Sequence, residues 1–141
     1  MILYRHLVSD SLISPPLRLR KLWLAFGWLL VMLIVYLSLR PGEALLPETF
    51  GDKLQHVLAY AVLMSWFGNL YLRMSMQWRY AVGFALLGVV LEFIQLESGY
   101  RSLDLGDMAA DVMGVAGGWL LSPPRGPSIF FAIERLFIPG N

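Results

Sequence analysis

The chain has 141 residues, 57% of them hydrophobic and 15% charged, with a mean hydropathy of +0.62 and a formal net charge of +1. Soluble domains carry about 25% charged residues, so this composition points to a membrane protein. The absence of cysteine excludes a disulfide framework, thiolate catalysis and a thiolate zinc site, and the basic residues flank apolar runs, which gives no sign of a nucleic-acid partner.

In chain order, residues 1–21 form a polar, basic leader broken by Pro15-Pro16 and closed by Arg18, Arg20 and Lys21. The first apolar run, Leu22 to Leu39, contains no charge and is bounded by Lys21 and Arg40. A bilayer core needs about 20 mostly apolar residues, and a signal-peptide core has roughly 7–15 and a small-residue cleavage site after it. Arg40-Pro41-Gly42-Glu43 follows instead, so the run reads as an uncleaved first span. A loop over 40–53 precedes the second run, 54–72, which is interrupted by Gln55, His56 and Asn69. A short basic turn is predicted over 73–79. The third run, 80–96, contains Glu92 and Gln95 near its end, and a polar loop covers 97–106. The fourth run, 107–122, opens with Asp107 and Asp111 and stops at Pro123-Pro124. Residues 127–138 read as an amphipathic piece lying on the membrane surface. The predicted fold is therefore all-α: a polytopic membrane protein with a bundle of four transmembrane helices and a short C-terminal interfacial helix. Its parts are a cytoplasmic leader (1–21), a four-helix domain (22–122) and a cytoplasmic tail (123–141).

Lys and Arg in short loops set orientation. Eight of the eleven basic residues fall on the side of both termini, which is therefore the predicted cytoplasmic side; Arg40, Lys53 and Arg101 fall on the other. The acids segregate oppositely, leaving the outer half at −5 and the inner half at +6. Acidic residues contribute little to orientation, so their segregation calls for a site at the outer end.

Helix parity brings nine polar residues to that end: His56, Glu92, Gln95, Asp107 and Asp111, with Asp52, Lys53, Arg101 and Asp104 beside them. A charge at a helix centre in the bilayer costs about 2.5–3.5 kcal/mol, which marks such residues as functional by default. Asp52 and His56 share a helix face at i,i+4, although Asp52 also suits a first-turn position favoured by the helix dipole. His56 is either a satisfied interhelical partner or a functional group, and Tyr60, one turn on, either packs or floors the pocket. Glu92 is a buried acid or half of a structural ion pair with Lys53 or Arg101. Gln95 is a ligand group or interhelical glue. Asp104, Asp107 and Asp111 form one acidic stripe whose mutual repulsion requires a cation, an Arg or a raised pKa. Below it, Gly114 and Gly118 have GxxxG spacing, which lets helices approach closely.

Asp-Lys-x-x-His-x-x-x-Tyr at 52–60, Glu-x-x-Gln at 92–95 and Arg-x-x-Asp-x-x-Asp-x-x-x-Asp-x-x-Gly at 101–114 resemble the successive motifs of VanZ-like proteins. The resemblance covers about residues 22–121. Asp111 departs from it, since the family pattern usually has Asn there. It implies a small, multi-pass protein of a bacterial inner membrane or single-membrane envelope, in a family whose name-giving member is associated with low-level teicoplanin resistance. It supports architecture and site residues better than it supports a reaction.

Two function classes follow. One is an enzyme acting on a lipid-linked or cell-wall-related molecule at the outer leaflet. His56 would be its general base or acid, oriented by Asp52 or Asp107. Glu92 would be a second acid/base candidate, and Lys53 and Arg101 would hold an anion. A divalent metal on the carboxylates is an alternative, with one His among several acids favouring magnesium or manganese over zinc. The other class is a non-catalytic envelope protein that binds a ligand or partner in the same pocket, lined by Asp52, Gln95, Asp104 and Asp111. A pocket shared by these side chains favours ligand binding or chemistry, and scattered, locally satisfied pairs favour assembly.

Overall fold

The computed structural model describes residues 17–40, 51–99 and 103–138. Among these the chain is all-helical, with five helices and no strand: α1 (Arg20–Leu39), α2 (Gly51–Leu70), α3 (Met74–Glu97), α4 (Leu105–Leu120) and α5 (Ile129–Phe137). Arg101 and most of the 1–21 leader lie outside the described residues.

Two of the five, α1 and α3, are long and apolar enough to cross a membrane. At 1.5 Å per residue they measure about 30 and 36 Å. The 16-residue α4 is about 24 Å long, and α2 carries Asp52, Lys53, Gln55 and His56 in its first two turns.

Large apolar side chains cover much of the surface, and several polar ones are enclosed. Phe26, Met32, Leu86 and Met113 are each more than half exposed, whereas Asn69, Gln77, Glu92, Gln95, Asp107, Asp111, Ser122 and Glu134 are buried. The apolar centre is built on α2, where Leu63, Met64, Phe67 and Leu70 are almost fully enclosed. Phe67 stacks on Tyr80 at 4.6 Å and meets Phe84 edge-on at 5.3 Å, holding α3 against α2. On a neighbouring face of α2, Gly114 and Gly118 of α4 lie directly on its backbone. A Cβ at Gly114 would come within 3.1 Å of Ala61 N, and one at Gly118 within 3.0 Å of the Ala61 carbonyl carbon. Gly117 faces open space. The GxxxG reading of the pair therefore holds, and it fixes how α4 is rotated against α2.

Two predicted boundaries differ. The stretch 73–79, expected as a basic turn, is almost all helix, because α3 starts at Met74 and α2 stops at Leu70. Arg, Met, Gln and Trp contain no helix breaker, so three residues suffice for the reversal. Gln77 makes this possible: its buried Nε2 donates its two hydrogens to Pro123 O at 2.6 Å and Tyr71 O at 2.9 Å, with Gly68 O alongside at 3.3 Å, so carbonyls at the end of α2 find a partner. The C-terminal piece also does more than present an amphipathic face. Phe130 stacks on Trp23 at 4.3 Å. Glu134 accepts from Arg18 N, Leu19 N and Trp23 Nε1 at 2.7, 3.0 and 2.8 Å. α1 has no side-chain cap of its own at Leu19, so Glu134 supplies a carboxylate to its N-terminus from the far end of the chain. Leu136 and Phe137 remain exposed.

Candidate functional site

The start of α2, the end of α3 and the start of α4 come together at one end of the bundle. Asp104 begins the construction as the N-cap of α4, accepting from Gly106 N at 2.6 Å. Lys53, in the first turn of α2, reaches across to Asp104 Oδ2 at 2.8 Å and Asp107 Oδ1 at 3.0 Å. Its hydrogen bonds to Asp104 and then Asp107 raise the Lys53 pKa above its ordinary value. Lys53, followed by the Gly106 N–H, holds the Asp104 carboxyl below its own. Lys53 and Asp104 are both about half exposed, so their pairing contributes little stability. The geometry resolves one alternative: Lys53 pairs with Asp104 and Asp107, not with Glu92.

One turn deeper, His56 lies between two buried carboxylates. Its Nδ1 is 2.8 Å from Asp111 Oδ1, and its Nε2 is 3.8 Å from Asp107 Oδ2. An ionised carboxylate only accepts hydrogen bonds, so with Asp111 ionised Nδ1 donates to it and Nε2 is the nitrogen left facing Asp107. The 3.8 Å gap is too long for a hydrogen bond. The residue that orients His56 is thus Asp111, where Asp52 or Asp107 was expected. The charge that sets Asp111 apart from the Asn of the VanZ-like pattern is spent on the imidazole. Gly88 of α3 makes room for it, since a Cβ there would collide with Asp111 Oδ2 and stand 3.0 Å from its Cγ.

The remaining predicted residues divide. One oxygen of Asp52, a ring nitrogen of His56 and one oxygen of Asp107 lie within 4.8 Å of one another. Glu92, 2% exposed, accepts from the backbone N–H of Asp104 at 3.2 Å and so ties α3 to the start of α4. Gln95 turns to α1, donating to Ser38 O at 2.7 Å and Ser38 Oγ at 3.1 Å. Its amide nitrogen is engaged in holding helices together. Tyr60 is buried below His56, within the electrostatic reach of Asp111 and Glu92, and its hydroxyl has no hydrogen-bond partner among the described residues.

The arrangement offers an anchored imidazole with one presented nitrogen, flanked by carboxylates and open towards the half-exposed Lys53. Sequence reasoning missed Ser38 and Gly88. Only Gly88 carries a signal, since a glycine inside a helix costs about 1 kcal/mol relative to alanine and calls for a packing reason.

Compared with protein-family models, curated proteins and solved structures, the chain matches none. Lys53, His56, Glu92, Asp104, Asp107 and Asp111, from the motifs at 52–60, 92–95 and 101–114, meet at one end of the bundle.

Proposed function

We propose that the chain is a VanZ-like multi-pass protein of the bacterial inner membrane. In this reading α1 to α4 span the bilayer, and the His56 cluster lies at the outer face, where it engages a lipid-linked or cell-wall-related molecule. The observation that carries it is the presented Nε2 of His56, held by Asp111 on one side and facing Asp107 across an unbonded 3.8 Å. Asp111 alone would satisfy a histidine kept for packing, and Asp107 is a second carboxylate facing its other nitrogen.

The membrane assignment is supported by the exposed apolar belt around buried polar side chains and by the charge at the two ends. Arg18, Arg20, Lys21, Arg73, Arg79, Arg125 and Arg135 gather away from the cluster, where a cytoplasmic face would have them. With its C-terminal helix docked on α1, the tail lies at that same inner face, and Leu136 and Phe137 enter the interface there. Teicoplanin susceptibility is the phenotype the resemblance suggests.

A second reading, a non-catalytic binding or assembly protein, draws on Gln95 and Lys53. Gln95 is engaged by Ser38 and Lys53 by two carboxylates, so neither is poised to clamp an anion. The test is growth in teicoplanin of cells carrying the wild type, His56→Ala or Glu92→Gln, with membrane abundance measured in parallel. The site reading expects normal abundance and lost phenotype. Lower abundance as the first effect supports the assembly reading, and full phenotype at both positions removes the site.

A further inference from the structure

We infer that Asp52, His56 and Asp107 bind a divalent cation, with Asp111 as the carboxylate that orients the imidazole behind it. This rests on the cluster being the functional site, and it names the chemistry that the site presents.

Three observations carry it. First, the donor atoms of these residues, from α2 and α4, lie within 4.8 Å of one another. With metal–ligand bonds of about 2.0–2.2 Å, adjacent ligands stand about 3 Å apart and opposite ones about 4 Å apart. The 3.8 Å between His56 Nε2 and Asp107 Oδ2 falls in that interval, too long for a hydrogen bond between them. Second, histidines that bind metals through one nitrogen usually donate the other N–H to a carboxylate, which fixes tautomer and ring plane; Asp111 does this at 2.8 Å. Asp107 is divided in the same sense, since Oδ1 meets Lys53 and leaves Oδ2 facing His56.

Third, Tyr60, one turn beyond His56 on α2 and 3% exposed, has a hydroxyl with no partner among the described residues, near Asp111 and Glu92. A buried hydroxyl without a protein partner calls for a polar occupant beside it, such as water in the hydration shell of an ion. Asp52 and His56 are only partly buried, so an ion can enter from the open end. One imidazole with two carboxylates suits manganese, which accepts both donor types; magnesium prefers oxygen alone. A cation here would also bring an anionic headgroup into a cluster otherwise dominated by carboxylates, a task that Lys53 is not free to perform.

The experiment uses the full chain, purified in detergent, stripped with a chelator and titrated with Mn²⁺, with the free-ion electron paramagnetic resonance signal as readout. One saturable site is expected. Asp107→Asn and His56→Asn should each weaken it at least tenfold, and Asp111→Asn about tenfold through loss of orientation. Glu97→Gln, an exposed acid at the end of α3, should leave it unchanged. Each variant is first shown to melt like the wild type without metal; should Asp107→Asn not fold, Asp52→Asn carries the test. No saturable binding at concentrations on the order of 1 mM, or equal losses in Glu97→Gln and Asp107→Asn, overturns the proposal. If Mn²⁺ does not bind while His56→Ala still abolishes the phenotype, the cation is wrong and the site stands. If neither effect is seen, both fall.

Discussion

One methyl group at Gly118 should loosen the whole α2–α4 seam, and the same methyl group at its neighbour Gly117 should not. A Cβ at Gly118 would stand 2.9 Å from Met64 Cβ and 3.0 Å from the Ala61 carbonyl carbon, with Ala61 O closer still. Contacts under 3.4 Å are tighter than almost all real ones, and the atoms in the way are largely backbone, so the helices themselves must part. A separation of about 0.5 Å forfeits roughly a quarter of the dispersion energy of the facing atoms. Overpacking of this kind costs about 1–3 kcal/mol, offset by about 0.8–1.0 kcal/mol of better helix propensity for alanine. The expected net loss for Gly118→Ala is about 0–2 kcal/mol. Gly117 has nothing within 4 Å of its would-be Cβ, so Gly117→Ala should keep the propensity gain. The propensity gain is common to both, so the two variants should differ by the overpacking term, about 1–3 kcal/mol, measured by denaturant titration of the purified protein in micelles. Equal stabilities would show that α4 does not lean on α2 through Gly118, and the rotation that brings Asp107 and Asp111 to His56 would need another cause.

Gly88→Ala, on a different helix, should act on the site: its methyl displaces Asp111 from His56, so teicoplanin phenotype should fall while membrane abundance is kept; retention of both would sever Gly88 from the site. Glu134→Ala should cost about 2–3 kcal/mol, because a helix cap is lost and buried donors are stranded, as read by thermal melting. Glu134 also predicts a pH dependence. Burial pushes its pKa up, but hydrogen bonds from Leu19, Trp23 and Arg18 outweigh that and hold it below the ordinary value. Its contribution is thus complete above the unfolded pKa of about 4.3 and lost as pH falls through the folded one. Glu134→Gln should flatten the acid limb of stability against pH; an unchanged limb would assign acid lability to other groups.

The cluster was legible in sequence because charge in apolar runs is conspicuous, and because helix parity needs no tertiary detail to gather His56, Asp107 and Asp111. Which carboxylate holds the imidazole was not legible. That depends on how far α4 slides along α2, set by Gly114 and Gly118 against Ala61, because Asp107 and Asp111 share a face and lie about 6 Å apart along the axis. The GxxxG spacing announced the close approach but not the facing residues. Gln95 had two readings from sequence, and only the position of Ser38 on another helix separates them. Gln77 and Glu134 escaped notice for the same reason: each looks like an ordinary polar residue at a helix end, and its partners lie up to 116 residues away. The early start of α3 was hidden by Arg73 and Arg79, which suggested a turn although neither breaks a helix.

The most direct test of the central claim, a four-span protein with its polar cluster on the outer face, is the labelling of single cysteines in intact cells. The native chain has none, and Gly99 and Ser75 are exposed positions just beyond the cluster end of α3 and at its other end. The account predicts that Gly99→Cys reacts with a membrane-impermeant maleimide from outside and that Ser75→Cys reacts only after permeabilisation. Reaction of Ser75→Cys alone in intact cells would put the cluster on the cytoplasmic side, and reaction of both would remove the membrane-spanning arrangement itself.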